Sequence, residues 1–391
     1  MISSAIEWTD DTVNLVEGCT EVDTDCSRCF AKGIAARFAQ PQVTARREED
    51  GAPMETKPGH YDGLARLTPG RRLPQWTGRV RLRPDVLDAM FWRLLRARSP
   101  RRQFLCSMGD IFHREVPDSF LDEVFARIAI LESRRGWRGS PEQVWRKIEG
   151  RTIAEPSGDH PIYMLTKRPE RAAEYTNATG VAERIEHAAR SFIDLNYVHK
   201  LGSVNEKQRR AWEALRDFTM PAWPLRSVAL ITSAGTQAGA DARVPHLLRC
   251  KAAMRGVSCE PMTGPVDFRV LRYEDGAEKV SVNALTGEGV RDPGGRRPWS
   301  WFHPPRLDWV IVGGESGDLD ATREELRPRP CNVEWMSNVV SQCQEAGVPV
   351  FVKQLGNVLA ASLGRDGKGG ALEDLPPRLR VRQFPRMGAA S

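Results

Sequence analysis

Asp308-Trp309-Val310-Ile311-Val312-Gly313-Gly314-Glu315-Ser316-Gly317 is a short apolar run that stops abruptly at two glycines and a carboxylate. Such a run, bounded by turn residues, reads as a strand covered on both faces. Six others have the same form. They are Val13 to Val16 before Gly18-Cys19, Phe104 to Ser107 before Met108-Gly109-Asp110, and Ile162 to Leu165 before Thr166-Lys167-Arg168-Pro169. Then come Val228 to Ile231 before Thr232-Ser233, Val257 to Cys259 before Glu260-Pro261, and Val350 to Val352 before Lys353-Gln354. Between them lie amphipathic patterns such as Ser119 to Leu131 and Val333 to Ala346, whose apolar residues recur at helical spacing. Alternation of this kind predicts an α/β fold with a parallel sheet covered by helices. Seven units in one series predict an open or incomplete (β/α) barrel, with polar residues at the strand C-termini, the end where such folds place chemistry.

The barrel is expected to be a single domain over 1–359, followed by a C-terminal tail over 360–391 that is docked or frayed. Four insertions interrupt it, near 40–84, 132–160, 177–226 and 269–306. The first reads as a long loop or lid, the second as helix plus loop, the third as extra helix and the fourth, with its Asp292-Pro-Gly-Gly turn residues, as an exposed excursion.

Composition narrows the class. Of 391 residues, 40% are apolar and 28% charged, which is the globular range and excludes a disordered chain. No apolar run approaches the roughly 18 to 20 residues of a membrane span, and Met1 to Ala5 begins no signal peptide. A soluble, cytoplasmic protein without a membrane partner is expected. The 57 basic residues exceed the 51 acidic ones by six, and 47 of them are arginine. Arginine suits phosphate recognition, but a GC-rich genome produces the same bias, so charge permits a nucleic-acid partner without requiring one.

Of eight cysteines only Cys19, Cys26 and Cys29 are clustered, just after the first strand and before a helix-like Ala31 to Phe38. Cys106, Cys250, Cys259, Cys331 and Cys343 read as buried inert thiols. Three thiolates at one strand end suit a four-iron cluster with one iron open to a ligand. Two alternatives stand beside it: a structural zinc site, which needs a fourth ligand not found nearby, and no metal at all.

Ile6-Glu7-Trp8-Thr9, Gly18-Cys19, Cys26 and Cys29-Phe30-Ala31 resemble the opening of a three-cysteine, radical-SAM-like family encoded widely in bacteriophages and long catalogued as a domain of unknown function. The likeness continues through Tyr61-Asp62-Gly63-Leu64, Ser107 to His113, Val116-Pro117 and Leu165 to Arg171. It goes on through Glu260-Pro261, Gly264 to Asp267, Asp308 to Gly317 and Phe351 to Gly356. Three departures are evident. The C-x6-C-x2-C spacing has a longer first gap than the usual C-x3-C-x2-C, Phe30 stands where relatives carry Tyr, and Ile231-Thr232-Ser233-Ala234 lacks an acid found there in relatives.

The resemblance implies an incomplete (β/α) barrel of the radical SAM type that binds a [4Fe-4S] cluster on Cys19, Cys26 and Cys29 together with S-adenosylmethionine, in the host cytoplasm if phage-encoded. An external electron donor reduces the cluster, and a 5′-deoxyadenosyl radical abstracts a hydrogen. The implied substrate is DNA or a modified nucleotide, and the favoured reaction is isomerisation of an amino-acid-substituted thymidine, such as a glycyl-thymidine, in hypermodification that protects phage DNA from host restriction. A DNA-lesion lyase of the photoproduct-lyase kind is the second reading, and a non-catalytic zinc-stabilised nucleic-acid-binding protein the third.

Within that frame the strand-end residues take expected roles. Ser107 and Asp110 meet the methionine ammonium, or else cap a helix. Thr166, Lys167 and Arg168 meet its carboxylate, or else form a solvated basic loop. Gly313 and Gly314 let the backbone approach the adenine. Glu260, Glu315 and Lys353 face the substrate as catalytic residues and move protons, or else pair as a structural salt bridge. Trp8, Phe30, Phe112, Trp301 and Trp309 are candidates for base stacking, with core packing as the default. Arg71, Arg72, Arg79, Arg81, Arg83, Arg96, Arg98, Arg101 and Arg102 are candidates for tracking a phosphate backbone. Oligomeric state is open.

Overall fold

The computed structural model describes all residues except 1, 4–5, 47–52, 69, 71–72, 98, 134–143, 149–150, 156–159, 201–214, 296 and 386–391. Its centre is an eight-stranded sheet whose strands lie in chain order: β1 (Ile2–Ser3), β2 (Asp11–Val13), β3 (Gln103–Leu105), β4 (Ile162–Thr166), β5 (Val228–Ser233), β6 (Met254–Cys259), β7 (Trp309–Gly313) and β8 (Val350–Gln354). β2 to β8 are all parallel to their neighbours, and β1 pairs antiparallel with the outer edge of β2. The result is a mixed α/β fold around a parallel seven-strand half-barrel, as the run of apolar segments predicts.

Helices cover the outside: α1 (Phe30–Phe38), α2 (Pro84–Arg96), α3 (Asp118–Ser133), α4 (Pro169–Asn177), α5 (Val181–Lys200), α6 (Gln237–Arg249), α7 (Val333–Glu345) and α8 (Asn357–Ser362). Local chemistry sets their ends. Pro84 and Pro169 open α2 and α4, where the missing N–H is harmless, while the side chains of Thr236 and Asn332 cap α6 and α7. Leu87, Met90, Phe91 and Leu94 form the buried stripe of α2.

The two faces of the sheet are sorted by the two-residue period of a strand. Ile162 and Met164, Val228 and Leu230, and Val310 and Val312 pack outward against the helices, whereas Tyr163, Ala229, Ile231, Trp309, Ile311 and Phe351 point inward. The N-terminal half of the interior is filled by aromatic rings. Trp8 lies 5.1, 5.5 and 5.9 Å from Phe104, Tyr163 and Trp309, centroid to centroid. Continuing the same period upward gives Ser233, Gly256, Ser258, Glu260, Gly313 and Lys353 on the inner side, so the interior turns small and polar toward the C-terminal end.

Several segments differ from the sequence expectation. The apolar run Val13 to Val16 is divided: only Asp11–Val13 is in the sheet, and Val16–Glu17 leaves it to pair antiparallel with Arg81–Leu82. The 40–84 insertion contains antiparallel pairs, Gln42–Arg46 with Pro53–Lys57 and Ala65–Leu67 with Pro74–Trp76. In 132–160, α3 ends at Ser133 and the described residues include a hairpin that the sequence did not suggest, Val144–Ile148 with Arg151–Glu155; 134–143, where helix was expected to continue, lie outside the described residues. The 269–306 excursion is a four-stranded antiparallel meander of Leu271–Asp275, Glu278–Asn283, Glu288–Asp292 and Ser300–Phe302. Its Leu271, Val280 and Val282 join the main core, because alternate residues of a half-covered sheet must find an apolar partner. α5 supplies the extra helix expected in 177–226. The tail docks, with the Gln383 N–H bonded to Val350 O, the Trp309 indole N–H bonded to Gln383 O, and the Phe384 ring 5.8 Å from that of Trp309.

Candidate metal and cofactor centre

The cysteine loop is fastened to the half-barrel by backbone contacts that only glycine permits. Gly18 bridges Gly109 in the loop after β3. A Cβ on Gly109 would lie 2.4 Å from Val16 O, and one on Gly18, whose φ is +93°, would lie 2.3 Å from Arg79 O. Cys19 follows at once. Asp23 then caps a short 3-10 turn, Thr24–Arg28, by accepting the Cys26 N–H at 3.1 Å, and Cys29 occupies the cap position of α1. Lys32 ties the loop to α1, with Nζ 2.5 Å from Glu21 and 2.9 Å from Ser27 O.

All eight cysteines are free thiols. Cys19, Cys26 and Cys29 are partly exposed and the other five are buried, as the spacing predicts. The Cys19 thiol donates to Thr20 O at 3.3 Å and has Arg168 Nη1 3.6 Å away. Burial, then the Asp110 charge, pushes this thiol up to about 11 against the pull of Arg168, and the charge of Cys29 adds to the rise. Burial also raises Cys26. Among the described residues no three His, Cys, Asp or Glu side chains are gathered into a group that could hold a metal ion.

Asp110 organises the neighbouring strand ends. One carboxylate oxygen accepts Thr166 Oγ1–H at 2.7 Å and Phe112 N–H at 3.0 Å. The other accepts Lys167 N–H and an Arg168 guanidinium N–H, both at 3.0 Å. Arg168 also donates to Thr20 O and Oγ1, at 3.0 and 2.6 Å. The Lys167 ammonium lies 3.1 Å from Asp23, so it faces the cysteine loop rather than solvent. Ser107 donates to Asn14 Oδ1 at 3.1 Å, an acceptor shared with Met108 N–H. Neither Ser107 nor Asp110 caps a helix, since α3 begins only at Asp118. Cys106, at φ +66°, turns the chain so that these groups reach Asn14.

The far side of the mouth is equally paired. Glu260 accepts Lys353 Nζ at 2.5 Å and Gln354 Nε2 at 3.2 Å. Glu315 is bonded instead by Arg329 through both carboxylate oxygens, at 3.0 Å each, and the same guanidinium reaches Asp25 in the cysteine loop at 2.9 Å. Glu315 and Lys353 therefore sit in separate networks. Gly313 and Gly314 have packing reasons of their own: a Cβ on Gly313 would touch Glu260 at 3.4 Å, and one on Gly314 would lie 2.0 Å from Leu355 O.

Sequence reasoning missed Asp23, Asp25, Arg243 and Arg329. Two of these acids lie inside the six-residue gap of the cysteine motif, a signal that was available. Arg243, buried on α6, reaches Asp23 at 2.6 Å, and nothing local in sequence marks it or Arg329. His113 also lies in this cluster. Its Nδ1 accepts Glu115 N–H at 3.2 Å, which leaves Nε2–H for Thr20 Oγ1 at 3.0 Å. Burial and then the Arg168 charge hold this imidazole below its usual range.

Of the arginines offered for phosphate tracking, Arg71, Arg72 and Arg98 lie outside the described residues. Carboxylates within the chain take most of the others. Arg81 and Arg83 pair with Glu17, Arg101 with Asp11 and Arg102 with Asp10, while Arg96 bonds Trp92 O. Of the five aromatics, Trp8, Phe112 and Trp309 are core, and Phe30 and Trp301 are exposed.

A family model described as "Protein of unknown function (DUF5131)" matches residues 3–135 and 143–378. The chain belongs to that family. No curated protein matches it, and no solved structure does. Every polar residue placed at the barrel mouth above lies inside the segments matched by the DUF5131 model. Among the described residues no helix is long and apolar enough to cross a membrane.

Proposed function

We propose that this chain is a radical S-adenosylmethionine enzyme that carries one [4Fe-4S] cluster on Cys19, Cys26 and Cys29 and isomerises an amino-acid-substituted thymidine of the glycyl-thymidine kind. The observation that carries the reading is the thiol loop: three partly exposed cysteines on one short segment at the C-terminal edge of a parallel half-barrel, with five buried thiols elsewhere. The donor set fits such a cluster. Lys167 and Arg168 stand beside the thiols and would favour thiolates there, although each is shared with a carboxylate, Asp23 and Asp110 respectively. Among the described residues the three thiols do not form one group, so binding a cluster would require the loop to draw them together and would displace the Cys19 proton that Thr20 O accepts. The substrate class comes from the resemblance to the phage-encoded three-cysteine family.

Held on Cys19, Cys26 and Cys29 and reduced by an external electron donor, a cluster with S-adenosylmethionine would supply hydrogen-atom abstraction chemistry. The chain's own residues supply position and dryness. Asp110 fixes the Arg168 guanidinium beside Cys19. The aromatic floor closes the interior from the opposite end, and the Lys353–Glu260 pair on the inner side provides a proton donor and acceptor within one bond of each other.

Anaerobic reconstitution with iron and sulfide tests this. A brown protein is expected, with 5′-deoxyadenosine formed after reduction with S-adenosylmethionine and a mass-shifted or rearranged nucleoside in digests of treated DNA. Replacing Cys19, Cys26 or Cys29 by Ala should each abolish the visible absorbance, whereas the five buried cysteines should be dispensable for iron. A full cluster in two of the three variants, or stoichiometric zinc without iron in the wild-type chain, would sink the assignment.

A further inference from the structure

The meander that stands between β6 and β7 has a polar outer face with one exception, its edge strand. Trp301 is 75% exposed and Trp299, just before the strand, is 67% exposed, while Phe302 turns inward beneath Gly289. Two large indoles left in water are a poor surface for an isolated protein and mark a contact site. Residues two apart in extended chain share a face about 7 Å apart, roughly twice the ~3.4 Å rise between bases of one strand.

The charge of the segment says what it would contact. From Arg296 to Arg306 the sequence has three arginines and one histidine, and no acid. Arg297 and Arg306 are exposed on either side of the tryptophans. On the neighbouring strand Glu288 accepts the Thr286 hydroxyl and Asp292 the Gly294 N–H, and both carboxylates keep their charge, so the cations of the edge segment itself must meet the phosphates. Flat aromatic faces spaced along a cationic strand are the parts from which stacking surfaces for unpaired bases are built, because every base has a π-face and every linkage an anion.

We propose that this edge strand binds single-stranded DNA, with bases stacked on Trp299 and Trp301 and phosphates met by Arg297 and Arg306. The choice of DNA rests on the thymidine substrate proposed above, and the site would hold the strand from which the target nucleotide is presented. A base inside a duplex has both faces covered, so the surface selects unpaired strands.

Fluorescence anisotropy with a labelled oligothymidine and the full-length chain, without S-adenosylmethionine or reductant, tests the site separately from the radical chemistry. The Trp299→Ala/Trp301→Ala double variant should bind about tenfold or more weakly, and Trp→Phe at both positions should recover part of the loss. Arg297→Gln should flatten the dependence of log K on log salt by about 0.7. Both indoles are exposed, so an unchanged circular dichroism spectrum should accompany the loss. Equal affinity of wild type and double variant would overturn the proposal. So would tighter binding of a duplex or of oligouridine, or a wild-type dimer that the double variant dissolves, which would make the strand a protein interface. Oligothymidine binding without 5′-deoxyadenosine formation would count against the radical reading alone, and 5′-deoxyadenosine formation without binding against this site alone.

Discussion

Asp110 illustrates how a residue that looks ligand-facing in sequence can owe its position to its neighbours. Both of its oxygens are filled from within the chain, by Thr166, Phe112, Lys167 and Arg168, and its side chain and that of Arg168 are 7% and 8% exposed. It is a positioning residue that acts through Arg168. Replacing one partner of a buried pair leaves the other charge uncompensated, a loss of roughly 3 kcal/mol. Asp110→Asn should therefore lower unfolding stability by about that much in the chain free of cofactor, measured by urea titration. An unchanged midpoint, with only S-adenosylmethionine affinity reduced, would show that the carboxylate serves the ligand directly.

At the scale of elements, β2 is anchored at its start by ion pairs to its two neighbours. Asp11 is fully buried and accepts from Arg93 of α2, Arg101 before β3 and Gln103 of β3, at 2.5, 2.7 and 2.8 Å. Burial works to raise its carboxyl, but the hydrogen bonds from Arg101, Gln103 and Arg93 outweigh it and hold the group down to about 2. A depressed carboxylate stabilises the fold above its unfolded value near 4, and that contribution disappears as pH falls through the folded value near 2. The contribution is about 2 kcal/mol, reduced by solvent because both arginines are a third exposed. Urea midpoints of wild type and Asp11→Asn should thus differ at pH 6 and converge between pH 4 and pH 2. Parallel curves across that range would remove Asp11 from the account. The same three elements show what sequence can carry: β3 was readable as the apolar run Phe104 to Ser107, whereas the acid that ties it to β2 and α2 has no periodic signature and sits in an Asp10-Asp11 pair.

Across the whole molecule, what could be read was what burial dictates locally. Six of the seven parallel strands were legible because they are largely apolar on both faces, whereas the first, Asp11–Val13, was obscured by the more apolar Val13 to Val16 beside it; the cysteine loop was legible because three thiols so close in sequence are rarely accidental. The meander carried its own alternation, Leu271-Arg-Tyr and Val280-Ser-Val, but the Gly and Pro of its turns outweighed it. The partners that close the mouth were not legible, since they are joined by distance in the chain rather than by pattern. Arg329 pairs with Glu315 after β7 and with Asp25 inside the cysteine loop, while Lys167 and Arg243 reach Asp23 from the opposite side. The loop is thus held across the half-barrel by three cations, Lys167 after β4, Arg243 on α6 and Arg329 before α7, which add to the Gly18–Gly109 bridge and the Lys32 and Arg168 contacts. Arg329→Gln with Glu315→Gln removes one of these ties and leaves Asp25 with the more distant Lys167 ammonium, 3.9 Å away. Hydrogen exchange over residues 19–29 should then accelerate severalfold, with exchange in β4 to β7 unchanged, and iron retained after reconstitution should fall. Acceleration spread evenly over the sheet would mean that the pair stabilises the fold as a whole; acceleration confined to the loop would mean that the ion pairs order the segment that carries the three thiols.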